Sequence, residues 1–253
     1  MTVYFVGAGP GAADLITVRG RDLLARCGGC LYPGSMTPTD LLAYCPPSAE
    51  LVDTANLSLA EIVEKLVQGH RAGHDVVRLC SGDPSLYSAV AEQARRLDAA
   101  GVPYEIVPGV PAFAASAAVL GRELTVPEVG QSLIITRVQA RSTAMPPGET
   151  LAAFAATGAT LALHLAINHV ERVAGELAPH YGADCPVAVV ALASQPGETV
   201  VRGVLGELPQ LVRAAGMTRA ATIFVGRVLA AAGFPDSFLY SSARDRANQP
   251  ESL

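Results

Sequence analysis

Short apolar runs alternate along the chain with longer stretches in which apolar residues recur every three or four positions. The runs have the length of buried strands, and the longer stretches have the period of helices packed against a sheet. In the first half of the chain we expect strands at 4–6, 31–32, 51–53, 75–80 and 104–107. In the second half we expect strands at 132–136, 160–165, 187–192, 198–202 and 222–228.

Helical patterns separate most of these runs, which is typical of α/β proteins with mostly parallel sheets. The expected helices cover 17–27, 37–44, 59–72, 85–97, 111–120, 149–156, 169–181 and 208–215. A polar, proline-containing stretch at 121–130 marks the expected domain boundary. We therefore predict two α/β domains, each a mixed, mostly parallel sheet with flanking helices. Their expected limits, with a polar C-terminal tail, are 1–121, 131–235 and 236–253.

Three predicted strands of the first half end in turns marked by glycine. These turns contain Gly7-Ala8-Gly9-Pro10-Gly11, Gly82-Asp83-Pro84 and Pro108-Gly109-Val110-Pro111. Glycine lets a ligand approach the backbone closely, and open α/β sheets bind ligands outside the carboxyl ends of their strands. One such turn could be an ordinary strand-to-helix connection, but three in one half of the chain suggest a shared cleft.

The first of these turns is similar to a dinucleotide-binding loop, because Gly7, Gly9 and Ala12 fit the spacing G-x-G-x-x-[GA]. Two features argue against that function. Pro10 removes a backbone donor where a pyrophosphate needs one, and the next predicted strand ends at Tyr32-Pro33 without an acidic residue. A nicotinamide-binding oxidoreductase is therefore kept only as an alternative function, from a different class of protein.

Composition narrows the range of partners. Hydrophobic residues make up 50% of the chain, so a full core can form. The net charge is −5, aromatics are 5% and tryptophan is absent, which argues against nucleic-acid binding. No targeting segment or run of membrane-spanning length is visible, so we expect a cytoplasmic protein without membrane contact.

The cysteines do not indicate a redox or metal site. Cys27 and Cys30 form a C-x-x-C, but it follows a predicted helix and precedes a strand, the reverse of a redox motif. No second C-x-x-C completes a zinc site. We expect buried, inert thiols and no metal.

Taken together, these motifs resemble the tetrapyrrole methylases, the S-adenosylmethionine-dependent methyltransferases of sirohaem and corrin synthesis. The resemblance rests on 6–19, Ser81-Gly82-Asp83-Pro84 and Pro108-Gly109-Val110-Pro111-Ala112. The finer motifs are closest to the branch that methylates C11 of precorrin-4, at 31–35, 82–87, 92–93, 108–113, 121–125 and 136–137. Two positions depart from the family pattern, where Cys80-Ser81 replaces His-Thr or His-Ser and His164-Leu165 replaces Tyr-Met.

The resemblance implies two α/β domains with the active site in the cleft between them, a homodimer, and a small-molecule tetrapyrrole as acceptor. It implies S-adenosylmethionine as cofactor, with S-adenosylhomocysteine as product, bound by Pro10, Ser81, Gly82, Asp83, Leu86, Tyr87, Pro111, Ala112, Leu165, Ala166, Ala193 and Thr222. Candidate substrate-binding residues are Gly9, Ser35, Arg137 and Arg141, the two arginines because Arg binds carboxylates bidentately.

Several alternatives remain open at this point. The acceptor could be cobalt-precorrin-4, or another position of a precorrin or of uroporphyrinogen, and the chain could be a tetrapyrrole-binding module without catalysis. An activated methyl donor requires no nucleophilic Ser or Cys, so catalysis should come mainly from positioning, and we assign no catalytic residue.

Overall fold

The computed structural model describes residues 1–34, 37, 39–139 and 143–238. The chain divides into two compact units. The first contains Met1–Ser116 together with Leu192–Glu198, and the second contains Ala117–Ala191 together with the described residues from Thr199 onward. A short segment from the second half of the chain thus packs with the first unit. Most of the expected polar tail, 239–253, lies outside the described residues.

The first unit is built on a five-stranded sheet in which every neighbouring pair of strands is parallel. Its strands are β1 Val3–Gly7, β2 Gly29–Tyr32, β3 Glu50–Asp53, β4 Val76–Cys80 and β5 Tyr104–Val107, in the order β3-β2-β4-β1-β5. Its helices are α1 Val18–Leu24, α2 Thr39–Leu42, α3 Leu59–Arg71, α4 Val90–Ala99 and the start of α5 Ala112–Leu120.

Both faces of this sheet are buried, as a parallel sheet requires. Successive strand residues point to opposite faces, so Phe5 packs with Leu66 and Leu97 in one apolar cluster while Val6 packs in another. The capping box expected at Ser58 and Glu61 forms in both directions at the start of α3.

Helix α4 begins at Val90, so the expectation of a helix from residue 85 is wrong. The Asp83 side chain accepts a hydrogen bond from the Ser85 N–H at 2.8 Å, and such local bonds compete with helix formation. Tyr87 and Ala89 then adopt the left-handed conformation, with φ of 55° and 52°. The segment 84–89 is therefore an irregular loop that leads from β4 into α4.

The second unit also has a five-stranded sheet flanked by helices. Its strands are β6 Leu133–Arg137, β7 Thr160–His164, β8 Pro186–Ala191, β9 Thr199–Val204 and β10 Ala221–Val225, in the order β6-β7-β10-β8-β9. Its helices are α6 Leu151–Ala155, α7 Val170–Tyr181 and α8 Leu208–Ala214, and one large apolar cluster joins them to the sheet.

The two α/β halves predicted from sequence are confirmed, but strand directions in the second sheet differ from the mostly parallel pattern. Among the described strands of this unit only β6 and β7 pair in parallel, and the three other pairs are antiparallel. The connection Leu192–Glu198 between β8 and β9 is too short for a crossover, so these strands can only form an antiparallel pair.

Cys27 and Cys30 are buried in an apolar cluster of the first unit, against the half-buried Cys45. Hydrogen bonding to Cys45 and burial both raise the pKa of these two thiols, which keeps them protonated and unreactive. In the described part of the chain, no group of three or more His, Cys, Asp or Glu is arranged to hold a metal ion. None of the described helices has the length and apolar character needed to cross a membrane.

Candidate functional site

The three glycine-marked turns lie side by side because they follow β4, β1 and β5, which are neighbours in the sheet. The first two are joined directly. The Gly9 N–H donates to the Gly82 carbonyl at 3.2 Å, and the Gly82 N–H donates to the Gly9 carbonyl at 2.9 Å. We call the residues 7–11, 81–84 and 108–112 the glycine corner.

Two glycines of this corner are required by contacts between backbones. A Cβ on Gly109 would lie 2.3 Å from the Gly82 oxygen and 2.7 Å from the Gly7 Cα. A Cβ on Gly7 would lie 2.5 Å from the Gly109 Cα. Sequence reasoning attributed these glycines to ligand approach, whereas here they let three turns pack against each other.

Gly82 is required for a different reason. A Cβ there would meet its nearest atom, the Pro111 Cα, at an ordinary 3.5 Å. Its φ of +67°, however, lies in the left-handed region that side chains other than glycine rarely adopt. This conformation turns the chain sharply at the end of β4.

Asp83 ties the second turn to the third. One carboxylate oxygen accepts from the Gly109 N–H at 2.7 Å, and the other accepts from the Ser85 N–H and hydroxyl. Partial burial raises the pKa of Asp83, but the hydrogen bonds from Ser85 and Gly109 outweigh burial and leave the pKa below its ordinary value. The carboxylate is therefore ionised and already engaged in holding the corner.

Next to the glycine corner, one large side chain is exposed to solvent. Tyr87 is 49% exposed and has left-handed backbone, while Leu86, Pro111 and Ala112 are partly buried. Left-handed backbone at residues other than glycine often occurs at ligand-binding and active sites. Ser81, also predicted as a contact, is exposed as well.

One further segment of the first unit, the connection between β8 and β9, contributes to the glycine corner. Ala193 is buried in this segment, and the two residues that follow it contact the first glycine turn. The Gln195 side-chain amide donates to the Pro10 carbonyl at 2.7 Å, and the Ser194 hydroxyl accepts from the Ala12 N–H at 3.1 Å. Sequence reasoning missed both side chains, and a polar turn sequence between two strands was the only signal.

In the second unit, two predicted residues follow β7 directly. Leu165 is 64% exposed with φ of 53°, so its side chain is available to a ligand. Ala166 is fully buried in the core of that unit, so only its backbone could make a contact. Thr222 lies within β10, where it is buried and paired with Val190.

Arg137 ends β6 and pairs in register with His164 at the end of β7. Its guanidinium donates to the Thr143 carbonyl at 2.6 Å and remains partly exposed. Burial lowers the pKa of His164, which is therefore neutral at pH 7. The other two substrate-binding candidates, Ser35 and Arg141, lie outside the described residues.

The strand order argues against a nicotinamide site. In dinucleotide-binding folds the strand before the glycine loop and the strand after the next helix are neighbours. Here β4 lies between β1 and β2. The order of strands in the first sheet therefore differs from that of a dinucleotide-binding fold.

Comparison with known proteins agrees with this geometry. The model of the tetrapyrrole (corrin/porphyrin) methylases matches residues 2–209. A precorrin-4 C(11)-methyltransferase of Rhodococcus erythropolis is 59% identical over 246 residues, covering 97% of this chain and 99% of that protein. A protein of the same name from Pseudomonas aeruginosa is 54% identical over 250 residues, covering 99% of both chains.

Two solved structures extend the comparison. A cobalt precorrin-4 methyltransferase of cobalamin biosynthesis has a TM-score of 0.88 at 39% identity, covering 90% of this chain and 95% of that one. A uroporphyrin-III C-methyltransferase from Thermus thermophilus, complexed with S-adenosyl homocysteine, has a TM-score of 0.75 at 29% identity, covering 90% and 93%. Since the family model covers most of the sequence and the relatives align along nearly its whole length, this chain belongs to the tetrapyrrole (corrin/porphyrin) methylases.

Proposed function

We propose that this protein transfers a methyl group from S-adenosylmethionine to C11 of precorrin-4, giving precorrin-5 in corrin synthesis. The observation that carries the proposal is identity of 59%, along nearly the whole chain, to a protein named for that reaction. The glycine corner also supports the proposal, because it lies at the carboxyl ends of parallel strands, where open α/β sheets bind their ligands.

The glycine corner and its surroundings are the proposed donor site. Its residues in the first unit are Pro10, Ser81, Gly82, Asp83, Leu86, Tyr87, Pro111, Ala112 and Ala193. The proposal keeps Leu165, Ala166 and Thr222 of the second unit as further contacts. The exposed Tyr87 supplies apolar surface for the adenosine or thioether part of such a ligand.

The bound donor supplies an activated methyl group on a sulfonium. The task of the protein is then to bind, to orient and to exclude water. Burial raises the pKa of Cys80 to about 11, so the thiol next to the corner is protonated at neutral pH and does not compete as a nucleophile. The ionised Asp83 keeps the turn between β4 and α4 in place.

The acceptor carries several carboxylates, and the chain has a net charge of −5, so cationic side chains must be placed locally. Arg137, at the carboxyl end of β6, is the described candidate. Gly9, Ser35 and Arg141 complete the proposed acceptor contacts.

The direct test is incubation of the protein with S-adenosylmethionine and purified precorrin-4, followed by mass spectrometry of the tetrapyrrole. We expect one added methyl group and release of S-adenosylhomocysteine. A parallel reaction with cobalt-precorrin-4 distinguishes the metal-containing acceptor. Binding of the tetrapyrrole without methyl transfer would instead indicate a binding module, and binding of a nicotinamide cofactor would indicate the oxidoreductase.

The donor site has its own test in Gly82→Val. Valine would strain the left-handed backbone of Gly82 and add a branched side chain at the corner, so we expect affinity for S-adenosylhomocysteine to fall more than about tenfold, or about 1.4 kcal/mol, by calorimetry. Gly73→Val is the matched control, because Gly73 also has positive φ but has no neighbouring atom within 4 Å of the added Cβ. Unchanged affinity in a folded Gly82→Val protein would remove the corner as donor site.

We also propose a cytoplasmic homodimer, on the resemblance to the family and not on geometry. Light scattering on the purified protein tests the dimer, and cell fractionation tests the location.

A further inference from the structure

We propose that Ser194 and Gln195 are positioning residues for the reaction, which hold the turn 9–12 in the conformation that the donor site needs. The inference rests on the donor site proposed above. Neither residue belongs to the set predicted from sequence, and both reach the glycine corner from the connection between β8 and β9.

The two side chains bond to backbone groups on either side of Gly11. Gln195 donates its amide N–H to the Pro10 carbonyl at 2.7 Å, and Ser194 accepts from the Ala12 N–H at 3.1 Å. Pro10 has no N–H of its own, so its carbonyl is the one backbone polar group through which this residue can be anchored. The turn is thus held from outside by a segment more than 180 residues away in sequence.

Gly11 leaves the space that Gln195 occupies. A Cβ on Gly11 would lie 2.0 Å from the Gln195 Cγ and 2.5 Å from its Cδ. The Gly-Pro-Gly sequence therefore fits a side chain lying across the loop.

The segment that carries these two side chains has a strained backbone conformation. Leu192 and Ser194 have φ of 52° and 63°, a left-handed region that residues other than glycine adopt only where the surroundings enforce it. Its own bonds close the turn, with the Ser194 N–H donating to the Glu198 carboxylate at 2.7 Å and the Gln195 N–H to the Leu192 carbonyl at 2.9 Å. A pre-formed turn can position the loop that it contacts.

The effect of Gln195 would reach the donor site through backbone bonds. Gly9, next to Pro10, exchanges two hydrogen bonds with Gly82, and Asp83 binds the Gly109 N–H. A turn 9–12 that loses its outer anchor would therefore loosen the Gly82 backbone. Since the donor can restore the geometry on binding, the expected loss is in donor affinity and not in the rate at saturation.

The first test is Gln195→Glu, which keeps the shape of the side chain, removes the N–H donor and places a carboxylate against the Pro10 carbonyl. We expect the Kd for S-adenosylhomocysteine to rise about tenfold. We expect kcat at saturating donor to stay within about threefold of wild type, and Tm to change by less than about 2 °C. The matched control is Gln68→Glu, which adds the same charge on the exposed surface of α3.

A second test breaks the same contact from the other side. Gly11→Ala should raise the Kd by a similar factor, because its Cβ overlaps Gln195. In a Gln195→Ala background, which removes the overlapping atoms, Gly11→Ala should raise the Kd by a clearly smaller factor. A double-mutant cycle measures this coupling, and strictly additive effects would overturn the inference.

The outcomes separate this inference from the donor site. Weakened donor binding in Gln195→Glu with unchanged Tm supports it. Unchanged binding in Gln195→Glu, while Gly82→Val weakens binding, overturns it and leaves the donor site standing. Unchanged binding in both variants overturns the inference together with the donor site. A Kd increase matched by a large fall in Tm also overturns it, because the residue would then be only structural.

Discussion

The two sheets have the same number of strands, but their candidate functional residues are arranged differently. All strands of the first sheet are parallel, so their carboxyl ends meet at one edge, and three glycine-marked turns lie together there. In the second sheet only β6 and β7 are parallel among the described strands. The candidates Arg137 and Leu165 lie at the ends of that pair.

Glycine shows the same contrast. In the first unit Gly7 and Gly109 pack backbone against backbone, where no Cβ fits. In the second unit Gly175 lies within α7 and would meet no atom within 4 Å. The backbone-to-backbone packing of Gly7 and Gly109 thus lies at the carboxyl edge of the parallel sheet, and the predictions below test how far this edge differs from the second unit.

The largest effect is expected from Gly109→Ala. Its Cβ would collide with the Gly82 carbonyl and the Gly7 Cα, so the free energy of unfolding should fall by about 3 kcal/mol. Gly175→Ala in the second unit should instead stabilise the protein by about 0.5–1 kcal/mol, because alanine is the better helix former. Urea unfolding measures both, and equal effects would contradict the asymmetry.

Asp83→Asn should have the next largest effect. An amide offers one acceptor oxygen in place of two, so either Gly109 or Ser85 loses its partner, at a cost of about 1–2 kcal/mol. The pKa of Asp83 is lowered in the folded state, so this contribution is present above the ordinary aspartate pKa of about 3.9 and is lost as the pH falls through the folded value. The difference in free energy of unfolding between wild type and Asp83→Asn, measured from pH 7 to pH 3, should therefore shrink as the pH falls. A constant difference would contradict the role of the Asp83 carboxylate in holding the two turns.

Arg137→Ala tests the contribution of the second unit. An ion pair with a partly exposed arginine is worth up to about 1 kcal/mol, so KM for the tetrapyrrole should rise up to about fivefold while donor affinity stays constant. Arg213→Ala is the control, since Arg213 is an exposed arginine of the same unit that pairs with Glu171. Equal KM values in the two variants would place the acceptor carboxylates elsewhere.

Only modest effects on turnover are also expected from Cys80→Ser and His164→Gln. Burial raises the pKa of Cys80 to about 11 and lowers the pKa of His164, so neither group is charged at pH 7. Each variant should keep turnover within about tenfold of wild type, or about 1.4 kcal/mol of barrier, in single-turnover methyl transfer. A loss of about 10⁴ with intact donor binding would show that the residue transfers a proton or forms a bond.

The sequence by itself determined the local features of this protein. Apolar periodicity predicted the ten strands, Ser58 and Glu61 predicted a capped helix, and glycine and proline marked the three turns. The family was also recognisable from these turns. Each of these features depends on neighbours within a few residues, and such interactions are readable along the chain.

The tertiary structure alone decided how these pieces combine. Strand order set β4, β1 and β5 side by side, and the chain returned at Leu192–Glu198 to bring Gln195 onto Pro10. It also turned Asp83 into a tie between two turns, through the bond from the Gly109 N–H. These outcomes depend on backbone groups far apart in sequence that find partners only once the sheets have formed, and no local pattern of residues encodes that choice.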